Sequence, residues 1–202
     1  FIPQISVKSQ NFYRPHDGIN FVFMGNIGKA QNLERFVEAF AKIKSDKIWH
    51  VHVVGTGSYI ADLKMLVEEK NLDDRFIFHG RHPVEEMPKF YSIADACFMG
   101  LIGTSIIGHT IPNKLQGYMA AGKTVIAAID GAAQKVIRDA KCGIAVPADD
   151  VNALADGIQD FIDYPEKYKD CGENGRKYFK QHFHKTIHLD LIEKAMKQLL
   201  EG

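Results

Sequence analysis

Two lysines stand where a phosphate-binding chain would need them. Lys29 follows Gly25-Asn26-Ile27-Gly28, and Lys114 follows Pro112-Asn113; each sits at the opening of a segment with helical apolar spacing. The first turn of a helix leaves backbone amides unpaired and carries the positive end of the helix dipole, so it attracts anions. A cation placed there makes sense when an anion shares the site. Gly28, Lys29, Asn113 and Lys114 are therefore the candidates for holding a diphosphate. Gly25 lets the chain turn without a Cβ clash, and Gly28 lets a ligand approach the backbone. Lys29 also fits a plain surface lysine, and Lys114 an exposed helix residue.

Other loops fall at corresponding places. Val53-Val54-Gly55-Thr56-Gly57 ends an apolar strand, but a dinucleotide fingerprint would need a third glycine where Ile60 stands. It would also need an acidic residue closing the next strand, which ends in Phe78-His79-Gly80. Gly55 and Gly57 are left with a tight turn and ligand approach, or with simple strand termination. In Gly80-Arg81-His82-Pro83 the flat guanidinium of Arg81 suits a planar base, though a solvated loop is equally served. The stretch from Gly103 to Lys114 is apolar for a loop, yet carries Thr104, Ser105, His109 and Thr110 as hydrogen-bonding groups. His182, His184 and His188 read as a solvated helix face, and no Asp-x-Asp carboxylate clamp exists in the chain. No metal site and no cofactor are expected.

The elements that must position these residues alternate regularly. Apolar strands are expected at 21–25, 49–55, 75–80, 96–99, 124–129 and 143–146, with amphipathic helices between them. Leu33, Phe36, Val37, Phe40 and Ile43 share one helix face, and Asp149 or Asp150 caps a helix carrying Val151, Leu154, Ile158, Phe161 and Ile162. Six strands separated by helices predict an α/β fold, a Rossmann-like doubly wound parallel sheet with a C-terminal helical tail. Residues 1–18 read as a lead-in or linker, 19–164 as the Rossmann-like unit and 165–202 as C-terminal helices. The 202 residues hold 25 basic and 25 acidic side chains, so no net field recruits nucleic acid. Three scattered cysteines predict a reducing, cytoplasmic setting, and no apolar run is long enough to span a membrane. A start at Phe1 rather than Met predicts a fragment or a processed product.

The order Gly25-Asn26-Ile27-Gly28-Lys29 with Leu33-Glu34, Val54-Gly55-Thr56-Gly57, Phe76 to Gly80, and Met119-Ala120-Ala121-Gly122-Lys123-Thr124-Val125 resembles the C-terminal donor domain of family 4 glycosyltransferases with the GT-B fold. The likeness covers about Asn20 to Ile162, and the Asn26-Ile27-Gly28 and Pro112-Asn113-Lys114 variants resemble bacterial enzymes that build O-antigen, capsule or exopolysaccharide. It implies transfer of a sugar from a nucleoside diphosphate sugar, UDP-linked, to a carbohydrate or lipid-linked acceptor, with anomeric retention and without metal. The acceptor would bind an N-terminal domain outside these residues, and the full protein could lie at the inner face of a membrane. By the same resemblance Gly55, Gly57, Arg81 and Gly117 fall to the nucleoside, and Thr104 and His109 to the sugar ring. The family's usual pair of glutamates is here His109 and Gly117, so the ribose contact of the second is lost or supplied elsewhere. Without a metal clamp, stabilising the negative charge that grows on the departing diphosphate would fall to Lys29, Lys114 and the amides of Asn113 and Lys114. A UDP-sugar epimerase of the same architecture, or a non-catalytic nucleotide-binding domain, is the alternative.

Overall fold

The computed structural model describes residues 17–103 and 110–201. Among them, six parallel strands form one sheet: β1 (Ile19–Met24), β2 (Trp49–Val54), β3 (Phe76–Gly80), β4 (Ala96–Gly100), β5 (Thr124–Ala128) and β6 (Gly143–Val146). Their order is β3-β2-β1-β4-β5-β6, which reverses direction between β1 and β4. The expected doubly wound, Rossmann-like sheet is present.

Strand alternation sorts the core onto two faces. Phe21 and Phe23 of β1 pack with α1 (Leu33–Phe40), α2 (Ile60–Glu69) and α6 (Val151–Asp163). Val22 and Met24 pack with α3 (Met87–Ile93), α4 (Asn113–Ala120) and α5 (Gly131–Asp139), with α7 (Cys171–His182) against the same face. The first face is aromatic: Phe40 stacks on Trp49 at 5.2 Å and meets Phe21 edge-on at 5.1 Å. Of the two aspartates expected to cap α6, Asp150 does so, accepting from the Ala153 amide at 2.9 Å. The C-terminal region holds a 3-10 turn at Pro165–Tyr168, α7, and α8 (Lys185–Glu201). The 3-10 turn gives way to α7 near Lys169-Asp170. Arg176 of α7 donates to the Ala121 carbonyl at 3.0 Å, closing the C-terminal end of α4. Among the described residues no helix is long and apolar enough to cross a membrane.

Candidate functional site

Ligands of open α/β sheets settle at the carboxyl ends of the strands, where strand order reverses. Here that crevice lies between β1 and β4, which pair only through Phe21 with Ala96 and Val22 with Cys97. Beyond that point a side chain bridges them. The buried Tyr118 hydroxyl accepts from the Met24 amide and donates to the Phe98 carbonyl, both at 3.2 Å. Tyr118 thereby fixes α4 over the crevice. Lys114 lies one turn earlier on the same helix face.

The Lys114 chain reaches across to β1. Its amine donates to Gln31 Oε1 at 2.7 Å and sits 3.8 Å from the centre of the Phe23 ring. Gly25 lacks the atom that would obstruct it: a Cβ there would lie 3.1 Å from Lys114 Cε and 3.4 Å from Nζ. Among the described residues no carboxylate pairs with this amine. Burial alone lowers its pKa to about 7, because an ammonium packed against a ring and an amide is poorly solvated. The Asn113 and Lys114 amides open α4 after Pro112, whose extended backbone (ψ 141°) ends the preceding loop.

A second cluster forms the adjoining cavity of about 330 Å³. Gly25 and Asn26 come from the loop after β1, Val54, Gly55 and Thr56 from β2 and its loop, and Arg81, His82 and Met87 from the segment after β3. The three loops are laced edge to edge beyond the strands. The Gly25 amide donates to the Val54 carbonyl at 2.9 Å, the Ile27 amide to Thr56 at 2.9 Å, and the Gly55 amide to Gly80 at 2.7 Å. Gly55 adopts φ +140°, and a Cβ on it would stand 1.9 Å from the Gly25 carbonyl oxygen. That approach requires glycine.

His82 forms a fixed part of the wall. Its Nδ1 lies 2.6 Å from Glu86 Oε2 and its Nε2 3.2 Å from the His79 carbonyl. The His82 hydrogen bond holds the Glu86 carboxyl below its ordinary range. The His79 carbonyl is available because β3 shifts register there: Val53 faces Phe78, whereas Val54 faces Gly80. The extra residue turns its ring inward, and His79 Nε2 meets His52 Nδ1 at 2.9 Å. Buried His52 continues to Asn20 Oδ1 at 3.0 Å.

The expected site residues fall in several places. Gly55 and Arg81 line the cavity, and Lys114 meets Gly25 at its edge. Gly28 precedes a 3-10 turn at Lys29–Gln31 rather than α1 itself, and Asn32 then takes a left-handed turn (φ 51°) into the helix. Lys29 is exposed at the start of that turn, and the structure gives it no contact with Lys114. Gly57 is a packing glycine in this structure, with a Cβ position 2.2 Å from the Ile27 carbonyl oxygen. A Cβ on Gly117 would stand 3.0 Å from the Tyr91 hydroxyl. Asn113 is exposed at the head of α4. Thr104 and His109 lie outside the described residues, as does the His188 side chain. Among the described residues no group of three His, Cys, Asp or Glu is arranged to hold a metal ion.

Gln31 and Tyr118 were not singled out from the sequence, although Tyr118 sits four residues after Lys114. Asp130 was also missed. It follows β5 and brings Oδ2 to 2.8 Å from where a Gly103 Cβ would stand, with Asp149 Oδ2 at 3.6 Å. Asp149 also lies 3.3 Å from Asn32 Nδ2.

A family model described as "Glycosyl transferases group 1" matches residues 6–178. A protein named as the probable glycosyltransferase WbjE of Pseudomonas aeruginosa is 26% identical over 184 residues, covering 89% of this chain and 44% of that protein. The chain thus spans less than half the length of this relative. HepE of Anabaena in complex with UDP shares the fold at a TM-score of 0.78 and 16% identity, over 90% of this chain and 49% of that one. The C-terminal domain of the group 1 glycosyl transferase LpcC from Francisella tularensis matches at 0.70 and 21% identity, over 83% of this chain and 87% of that one.

Proposed function

The chain belongs to the group 1 glycosyl transferases, and on that premise we propose that it is the donor-binding half of an enzyme that moves a sugar from a UDP-sugar to a carbohydrate or lipid-linked acceptor. The observation that carries this reading is Gly25. It lines the cavity, and the space that a Cβ on it would fill lies 3.4 Å from the Lys114 amine, so one bare backbone position joins a nucleoside-sized space to a cation. A nucleoside in the cavity would direct its diphosphate over Gly25 toward Lys114 and the opening amides of α4. As the bond from sugar to diphosphate breaks, negative charge grows on the departing phosphate. Lys114 then supplies the compensating charge in a desolvated place, where it acts most strongly. This assigns the task to a lysine and backbone amides rather than to a metal ion. Lys29 joins it if its exposed chain folds over the bound diphosphate.

The match to a C-terminal domain, and the length of WbjE, support an acceptor-binding half outside these 202 residues. Retention of the anomeric configuration, family 4 kinship, a cytoplasmic setting and a place in bacterial polysaccharide assembly belong to the same reading. Calorimetric titration of the chain with UDP, GDP and NAD tests it. Saturable binding of UDP in preference to NAD is expected, with no transfer from a labelled UDP-sugar by the chain alone and transfer by the full-length protein. Preference for NAD, or no nucleotide binding, would overturn it.

A further inference from the structure

Four rotatable bonds separate a lysine's charge from its backbone, so an amine that must meet a phosphate has to be aimed. At Lys114 the aiming group is visible. Gln31 Oε1 accepts from the amine at 2.7 Å, while the Phe23 ring lies beneath it. The amide oxygen faces the lysine because an ammonium has only protons to offer. Gln31 also projects from a fixed backbone. Its amide donates to the Gly28 carbonyl at 2.9 Å, its neighbour Ala30 accepts from Ile102 at 3.1 Å, and Asn32 is anchored to the Ala148 carbonyl at 3.1 Å. The Gln31 carbonyl oxygen lies against Gly100, 2.8 Å from where a Cβ would stand. A long side chain leaving such a platform is a suitable guide for a second long side chain.

We propose that Gln31 is a positioning residue for Lys114: its amide oxygen holds the amine stretched across the crevice beside Gly25 and yields it to an incoming diphosphate. The inference rests on reading Lys114 as the diphosphate-binding cation and adds the group that aims it. The chemistry of the amide suits the task. A carboxylate at this position would form an ion pair with the amine and present negative charge to the ligand. An apolar side chain would leave the amine without its acceptor. A neutral amide accepts one hydrogen bond, gives it up at modest cost, and then has an N–H end to turn toward a phosphate oxygen.

Inorganic pyrophosphate is the probe, because it reads the phosphate site whatever the base. Its affinity is measured by calorimetry between pH 6.5 and 9 for the chain and for Gln31→Glu, Gln31→Met, Gln31→Asn and Lys114→Met. Lys114 protonation is followed in the same proteins by NMR of Cε-labelled lysine, and thermal melts confirm folding. Gln31→Glu is expected to weaken pyrophosphate by about tenfold or more and to move the Lys114 titration upward by at least about one pH unit. Gln31→Met and Gln31→Asn, which cannot reach or accept, should each lose about three- to tenfold. Wild-type affinity in all three Gln31 variants, with an unmoved Lys114 titration, overturns the positioning role alone. Undiminished binding by Lys114→Met, or no saturable binding by the unaltered chain, overturns the diphosphate site beneath it.

Discussion

If Lys114 is the proposed diphosphate-binding cation, UDP binding is a proton-uptake reaction, and the amount follows from the lysine's surroundings. Burial holds its amine near 7 in the free chain, against 10.5 in water. At pH 8 roughly one amine in ten then carries a proton, and at pH 6 roughly nine in ten do. A bound diphosphate favours the charged form, so binding at pH 8 should take up about 0.9 proton and at pH 6 about 0.1. Above 7 the free chain must be protonated before it binds well. UDP affinity should therefore fall about fifty-fold between pH 7 and pH 9, roughly 2.3 kcal/mol. The stability of the free chain runs the opposite way. A lysine with a folded pKa below its unfolded value opposes folding at low pH, so this contribution improves as pH rises from about 7 toward 10.5. Calorimetry at pH 8 in HEPES and in Tris separates ligand heat from buffer ionisation and yields the proton count. Zero uptake with flat affinity from pH 7 to 9 would refute the reasoning. Uptake that persists in Lys114→Met would transfer it to another group.

Two further perturbations test the frame around the lysine. Tyr118→Phe removes the hydroxyl between the Met24 amide and the Phe98 carbonyl, and two buried backbone groups lose a partner. A loss of about 1–3 kcal/mol is expected, read as a fall of several degrees in Tm together with weaker UDP binding; an unchanged Tm would show that the bridge contributes nothing. Gly55→Ala places a methyl group 1.9 Å from the Gly25 carbonyl at φ +140°, whereas Gly80→Ala at φ +74° meets nothing within 4 Å. The first should cost at least about 2 kcal/mol and abolish UDP binding, and the second should cost only backbone strain of about 1 kcal/mol. Equal melts for the pair would refute the claim that the two loops depend on a glycine contact.

The sheet was legible because each strand is a short apolar run and each helix shows one apolar face. Those signals are local, and nearest-neighbour packing does not alter them. The opening of α4 was legible for the same reason: Pro112 ends the extended loop and Asn113 begins the helix. The loop after β1 was read less completely. Gly28-Lys29 looked like the entry to α1, but a 3-10 turn and the left-handed Asn32 intervene, and these turn the Gln31 side chain toward Lys114. No pattern in the sequence announces that turn, since its cause is distant: Asn32 is held by the Ala148 carbonyl, 116 residues away. Tyr118 was hidden because a buried tyrosine on an apolar helix face looks like core until its hydroxyl is seen between two strands. Gly57 and Gly117 show the converse. Both are glycines at inviting positions, and in the fold they give room to Ile27 and Tyr91.

On the proposed reading, the cavity and the lysine divide recognition between rigid and movable parts. Residues at the ends of three strands line the cavity, and the hydrogen bonds between their loops brace its shape. His82 is as constrained as the backbone. With one ring nitrogen on Glu86, the other on the His79 carbonyl, and its ring edge-on to Phe90 at 4.9 Å, it has no free hydrogen-bonding atom for a base and offers a wall instead. Discrimination between bases by hydrogen bonding then falls to loop amides, Asn26, Thr56 and Arg81. On the other side of Gly25, Lys114 is held by a single neutral acceptor and lacks a counter-ion among the described residues. A cavity shaped in advance beside a cation without a counter-ion favours a ligand whose flat, uncharged end is joined to a doubly anionic one. A nucleoside diphosphate sugar has that form, whereas a free base or nucleoside lacks the anionic end.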